Sequence, residues 1–480
     1  MRARRRAAIL LGSMGADTTD RMHALADLIV RFGANVQPGQ IVSLSSAPGK
    51  EPLARAVAES AYKAGAKFVD LSVFDIYLKR ARALYAAPDT LGFVPPWYGQ
   101  RMLAIAEQRG ANIALTGPVA PHVMDDVDPS LLGKDLLPAL RESIEIVNQR
   151  MTNWTAAPCP TPAWANLVHP DLAADDALER LWQDVAHVCR VDEDDPVAAW
   201  EERMDRLTAV AGKLDDLRLD SLHFEGPGTD LTVGLLPSGR WHCARITTVD
   251  GIVHAPNLPT EEVFSTPDPA RVEGHVRSTK PLFVSGVLTT GLRVRFEDGY
   301  AVEIDADQGA DTLRALSKRD PGAGRLGEVA LVDRDSRIGN LDTVFFDTLL
   351  DENAASHIAL GEGLDFTVLD DADRERINRS ELHIDFMIGS NEVNPRYAIS
   401  SRARSTAPAP LRRSGARPRP VTCAATVTSW PLYRGPSHPG GTCTFAASPV
   451  RDRPSWDRRP PTVRAARRRA GAAAPPRRRG

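Results

Sequence analysis

Four stretches of this chain set acids and imidazoles among residues that would otherwise read as packed interior. In "ELHIDFMIGS", His383 and Asp385 are two apart, so a strand points both to one face, with Ile384 and Phe386 on the other. An imidazole and a carboxylate on one face suit metal ligation, and they equally suit a structural His–Asp hydrogen bond. "RLGEVALVD" puts Glu328 inside a run that reads as a buried strand. A buried carboxylate is costly without a partner, so Glu328 must meet a metal or a cationic side chain. In "NLPTEEVF", Pro259 and Thr260 predict a helix that begins at Glu261, where acids also serve as simple caps.

The fourth stretch, "LLDENAASHIALGEGL", spans residues 349–364. Ala354, Ala355, Ser356, Ala359 and Gly361 read as a closely packed helix with His357 as its large polar exception. Five positions separate Glu352 from His357, about 140° round an ideal helix. Both can face one site only if Glu352 lies in the turn that enters the helix. Together the four stretches offer two imidazoles and at least four carboxylates, enough for two divalent ions sharing a bridging carboxylate, the equipment of metal-assisted hydrolysis. The spacing matches no common single-zinc helix motif.

Elements must hold these groups in place. "QIVSLSSA", "EPLARAVAESAYKAGA" and "KFVDLSV" read as strand, helix and strand, with Gly65 ending the helix. "RMLAIAEQRGANIALTGP" repeats helix, glycine and strand. The expectation is an α/β N-terminal domain with a largely parallel sheet over 23–215. Neither loop carries a dinucleotide fingerprint. A charged amphipathic helix around 198–215 bridges to the next domain. From 216 to 393, short alternating runs with turns such as "EDGY" predict an α+β catalytic domain rich in antiparallel strands.

Both ends differ from this body. Residues 1–22 read as an N-terminal arm, whose apolar core is too short for an export signal. Residues 394–480 hold nineteen arginines and fourteen prolines, two aspartates, and no lysine or glutamate. That segment has a net charge of +17, so the chain total of −3 leaves −20 for residues 1–393. Its composition predicts a disordered basic tail, and is also what a GC-rich gene yields in a shifted frame. Without lysine or interleaved aromatics, it gives little basis for nucleic-acid binding. No apolar run reaches the roughly 18 residues needed to cross a bilayer. Five scattered cysteines, with no CxxC, fit a reducing cytoplasm.

The four stretches, in this order, resemble the thermophilic metallo-aminopeptidase family of the aminopeptidase T and aminopeptidase S type. "IVRFGANVQPGQ" at 29–40, "KRARALYAAPDTLGFVPPW" at 79–97 and "GPGTDLTVGL" at 226–235 strengthen the likeness, which runs from about residue 23 to 393. The resemblance implies a homodimeric exopeptidase that acts on peptides with a free N-terminus and uses two divalent ions: zinc, cobalt, manganese or magnesium. It implies Glu262, Glu328, Glu352, His357, His383 and Asp385 as ligands, with Glu328 bridging. It leaves Glu261 as the general base, although Glu261 and Glu262 are adjacent and could exchange roles.

Two departures stand out. The resemblance implies a tyrosine seven residues after His357, where Leu364 stands and has no donor for an oxyanion. It also implies a closing strand segment where this chain reads "NPRYAISSRARSTAPAP", so weaker folding is expected. Two other functions use similar groups: a dinuclear phosphoesterase, and a metal-binding relative without turnover.

Overall fold

The computed structural model describes residues 16–399, apart from 136, 138–140, 334, 335 and 391. The tail from residue 400 and the first fifteen residues lie outside the described residues. Helix α1 (Ala16–Leu28) already begins within the expected N-terminal arm. The parallel sheet is built from β1 (Ile41–Ser46), β2 (Phe68–Val73), β3 (Ala111–Thr116) and β4 (Asn153–Pro158), in the order β2-β1-β3-β4. Helix α2 (Glu51–Lys63) links the first two strands, with Pro52 in its first turn, where no intrahelical donor is lost. Just past its end, Gly65 takes φ +93°, a left-handed conformation that side chains disfavour. Helices α3 (Ile76–Tyr85), α4 (Trp97–Glu107) and α5 (Arg141–Asn148) complete the other crossovers, and α6 (Ala174–Val188) packs against α1.

Helix α7 (Pro196–Leu217) joins two cores, as its charged, amphipathic sequence predicts. Trp200 and Met204 belong to the core of the parallel sheet, whereas Leu207, Ala211 and Leu214 belong to the next one. Its N-cap Asp195 accepts a hydrogen bond from the Ala198 amide, satisfying one of the free N–H groups at the helix start.

Beyond α7 the chain is antiparallel. One sheet contains β5 (Leu219–Gly226), β6 (Thr229–Leu235), β9 (Pro267–Arg277), β10 (Arg293–Glu297) and β11 (Tyr300–Asp305). Its sixth strand is β15 (Asn394–Ile399), paired with β5 from Asn394↔Glu225 to Ile399↔Leu219. The expected boundary at 393 is therefore corrected: "NPRYAI" extends the sheet as an edge strand. The surrounding sequence reads as a Pro- and Arg-rich tail, which hid this strand.

The other sheet positions the chemistry. Its order is β14-β13-β12-β8-β7, with β7 (His242–Cys243), β8 (Glu262–Ser265), β12 (Leu326–Val332), β13 (His357–Gly361) and β14 (His383–Met387). Two expectations fail here. "PTEEVF" forms no helix: Glu262 opens β8, which pairs with both β12 and β7. "SHIALG" forms no helix either. A short helix α8 (Thr348–Glu352) ends at Glu352, and His357 begins β13. Pairing on both sides, with β12 and β14, overrides the weak helical preference of a run of small residues.

Candidate metal centre

Strand register brings three of the four stretches to one face of this sheet. Glu328 lies opposite Ala359, which lies opposite Asp385; Ala330 faces His357, and Gly361 faces His383. Each acid or imidazole therefore has an alanine or glycine as its cross-strand neighbour. Ala359 is small because a larger side chain there would fill the space between Glu328 and Asp385. On the reverse face, Ile358 and Leu360 are buried in the second core. Gly327 allows this close approach: a Cβ there would come within 2.1 Å of the Glu362 carbonyl oxygen.

The two carboxylate oxygens of Glu328 point to different imidazoles. Oε1 lies 3.9 Å from His357 Nε2, and Oε2 lies 3.2 Å from His383 Nε2. Glu262 Oε2 is 3.1 Å from His357 Nε2, and Asp385 Oδ1 is 3.4 Å from His383 Nε2. Two groups that could hold a metal ion result, Glu262–Glu328–His357 and Glu328–His383–Asp385, with the donor atoms of each within 4.8 Å of one another. Glu328 is common to both.

The far nitrogens of both rings are already committed. His357 Nδ1 lies 3.0 Å from the Glu352 carbonyl, and His383 Nδ1 lies 3.0 Å from the Glu362 carbonyl. A carbonyl can only accept, so each Nδ1 carries hydrogen, and in the neutral ring Nε2 presents a lone pair to the site. In that state His357 Nε2 and Glu262 Oε2 are two acceptors facing each other, and Glu262 Oε2 has no hydrogen-bond donor. A cation resolves this conflict. The residues thus fit divalent metal binding.

Protonation follows the same logic. Burial lowers the pKa of His357, but Glu262, Glu352 and Asp385 outweigh it and raise it well above the usual histidine range. His383, 30% of whose side chain remains accessible, is likewise raised against burial by Asp385 and Glu328. Burial pushes Glu328 up, and burial with neighbouring Asp385 and Glu262 pushes Glu352 well up. Asp385 is held below its usual value because His383 and His357 outweigh its burial. Without a cation, protons do what a metal would do.

Glu352 and Glu261 sit differently from the other acids. Glu352 lines the same cavity but joins neither ligand group; Asn257 Nδ2 lies 3.3 Å from its Oε1 and 3.4 Å from Glu262 Oε1. Glu261 does not reach the cavity. It is fully buried and gripped by Arg190, at 2.7 Å, and by Arg203, at 2.5 Å. A carboxylate clamped by two guanidinium groups cannot act as a free base in the site, so the expectation of Glu261 as general base is corrected. The strand conformation explains this: successive residues of an extended chain point to opposite sides, and Glu262 takes the site. The backbone N–H of Glu261 donates to Asn353 Oδ1 at 2.7 Å, tying this strand to the end of α8.

The cavity has a volume of about 340 Å³. Ile144, Val147, Trp154, Ile246, Phe264 and Phe366 line it together with the polar groups. Leu364 also lines it, with its backbone N–H donating to Thr266 Oγ1 at 2.9 Å. Sequence reasoning missed Asn257 and the α5 residues Ile144 and Val147. Asn257 opens the quoted "NLPTEEVF" stretch, but no pattern marks a lone amide as touching two buried carboxylates 5 and 95 residues away.

Comparison with known proteins agrees with this geometry. The chain is 39% identical over 405 residues to aminopeptidase T of Thermus aquaticus, covering 83% of this chain and 98% of the relative. It is 36% identical over 400 residues to aminopeptidase 2 of Geobacillus stearothermophilus, covering 81% and 96%. The solved structure of wild-type AmpT from Thermus thermophilus superposes with a TM-score of 0.71 at 38% identity, covering 79% of this chain and 95% of that one. The sequence model of the thermophilic metalloprotease family (M29) matches residues 18–399, and with the two ligand groups sharing Glu328 it leads to one conclusion: the chain belongs to that family.

Proposed function

We propose that this chain is a metal-dependent aminopeptidase that releases N-terminal residues from peptides, with two divalent ions bound per chain. The observation that carries this reading is the pair of ligand groups sharing Glu328 at the floor of one cavity. Glu262 and His357 would hold one ion and His383 and Asp385 the other, with Glu328 common to both groups. Carboxylate-rich ligands of this kind accept zinc, cobalt, manganese or magnesium. When bound, such ions polarise a carbonyl and lower the pKa of water.

The chain's own groups do the rest. Glu352 stands in the cavity outside both ligand groups and takes the proton-accepting role that Glu261 cannot fill. Asn257 orients the carboxylates of Glu352 and Glu262. The apolar wall receives the side chain of the substrate's first residue. Among the described residues no lysine or arginine lines the cavity, so the lining gives a phosphoester substrate no support. The enzyme works in the cytoplasm, a reading supported by the free, buried Cys159, Cys189 and Cys243. It pairs as a homodimer.

The test is hydrolysis of a leucine-initiated peptide by chelated, metal-reloaded protein, compared with the same peptide acetylated at its N-terminus. Release of leucine from the free peptide alone is expected. Cleavage of both, or of neither, contradicts the reading.

A further inference from the structure

The parallel sheet has a topological switch point between β1 and β3. From β1 the chain leads through α2 to β2 on one side, and from β3 it leads to β4 on the other. In open α/β sheets the crevice beyond the strand ends at such a point is where a ligand is held. Here the chain fills it with its own side chains. Lys50, 3% exposed and one residue before α2, donates from Nζ to the carbonyls of Leu115 and Thr116 at the end of β3, at 2.8 and 2.7 Å. Asp347, from the segment between β12 and β13, reaches the same strand end. The Thr116 hydroxyl donates to its Oδ1 at 3.4 Å, and the Gly117 N–H also donates to this carboxylate. Burial raises the pKa of Asp347, and the Lys50 charge and these donors oppose that shift.

Asp347 carries α8. It directly precedes the helix, which ends at Glu352. This single turn packs against β4 of the parallel sheet and β14 of the catalytic one. Leu350 is buried in the first core, while Glu352 lines the cavity. Further contacts make the segment one body. Trp164 Nε1 donates to the Phe345 carbonyl at 2.6 Å. Asp351 accepts the N–H groups of Phe345 and Asp347 at 3.0 and 3.3 Å, and Lys280 Nζ stands 3.7 Å from its Oδ1. The Glu352 carboxylate itself meets two long amide contacts, Asn257 Nδ2 at 3.3 Å and Asn353 Nδ2 at 3.4 Å. Its place is therefore set by its helix, unlike that of Glu261, which two guanidinium groups clamp.

We infer that Asp347 is a positioning residue for the reaction: anchored at the switch point by Thr116, Gly117 and Lys50, it sets the height of α8 and so the place of the Glu352 carboxylate in the cavity. The inference rests on the reading of Glu352 as proton acceptor. Five residues of helix span about 7.5 Å, and a turn this short passes a shift at Asp347 on to Glu352. The parallel half thus takes part in catalysis through the crevice where related sheets hold a ligand. A misplacement of about 1 Å in a reacting group costs on the order of a hundredfold in rate.

A double-mutant cycle on metal-reloaded protein tests this, with Asp347→Ala, Glu352→Gln and the two combined, reading kcat, KM and bound metal. Asp347→Ala is expected to keep its ions and its KM and to lose roughly 10- to 100-fold in kcat. Asp347→Asn keeps an oxygen for Thr116 and Gly117 and recovers most of that loss. In the Glu352→Gln background, Asp347→Ala costs nothing further, because the group it places is already gone. A full additional loss there overturns the inference and leaves the reading of Glu352 standing, as does a wild-type kcat in Asp347→Ala. A wild-type kcat in Glu352→Gln overturns both. Should Asp347→Ala fail to fold, Thr116→Val replaces it in the cycle, since it removes one hydroxyl at nearly unchanged shape. A smaller kcat loss that vanishes beside Glu352→Gln is then expected, and an unchanged kcat or an additive loss contradicts the inference.

Discussion

At the scale of single residues, the ligands differ from their neighbours in whether a proton can replace their partner. Glu261 is buried against Arg190 and Arg203, and Glu261→Gln leaves two guanidinium groups without their charge. Breaking one side of such a cluster costs about 3–5 kcal/mol, so urea midpoints should fall while the metal content of the remaining folded protein is unchanged. Loss of metal with unchanged stability would return Glu261 to the site. Glu352→Gln should keep both ions and lose roughly 10²- to 10⁴-fold in kcat, as removal of a proton acceptor does. Loss of an ion instead would make it a ligand. Leu364→Tyr should raise kcat about a hundredfold, because the backbone there is held by Thr266 and the new phenol would enter the cavity. An unchanged rate would show that the oxyanion is stabilised without it.

His254 gives the chain an acid sensitivity unrelated to metal. Burial outweighs a backbone contact at Ile252 and pulls its pKa down to about 4, and neither ring nitrogen forms a hydrogen bond of good geometry. A depressed histidine is neutral in both states above its unfolded pKa of about 6.5, so it costs nothing there. As pH falls from about 6.5 towards 4, the unfolded chain takes up the proton first and stability drops. The loss should reach about 2 kcal/mol at pH 5 relative to His254→Phe. Parallel urea curves for the two proteins at pH 7 and pH 5 would contradict this.

At the scale of elements, the site was legible in composition before it was legible in conformation. Glu328, His357, His383 and Asp385 stand out as polar residues in apolar runs, whereas Glu262 read as part of a helix start, and the period of two at His383 and Asp385 gave the strand β14. "SHIALG" was harder. Its small residues satisfy a helical pattern, yet they are small because Glu328 and Asp385 lie across from Ala359. That reason lies in strand pairing and is invisible along the chain, although Ile358 and Leu360 alternating with His357 and Ala359 carried the signal. Edge strand β15 was hidden in the same way, by the arginine and proline around it. Ending the chain after Ile399 should leave the melting temperature unchanged, whereas ending it after Val393 uncovers the β5 edge and should lower it. Equal melting for both would mean that β15 adds nothing.

At the scale of the whole molecule, the parallel-sheet half and the antiparallel half meet at the cavity. Ile144 and Val147 on α5 come from the first, and the candidate metal-binding groups come from the second. The texture of the sequence changes near 216, where α7 ends, and α7 contributes residues to both cores. The cavity's apolar wall was not readable, because it assembles from segments more than two hundred residues apart. The most direct test of the account is metal-restored release of p-nitroaniline from a leucyl anilide by the wild type and by His383→Ala, with bound metal counted in the same samples. Two ions per chain and metal-restored turnover in the wild type are predicted, with at least one ion and the turnover lost in His383→Ala. Full turnover in His383→Ala, or turnover by the chelated wild type, would contradict a two-ion site built on Glu328.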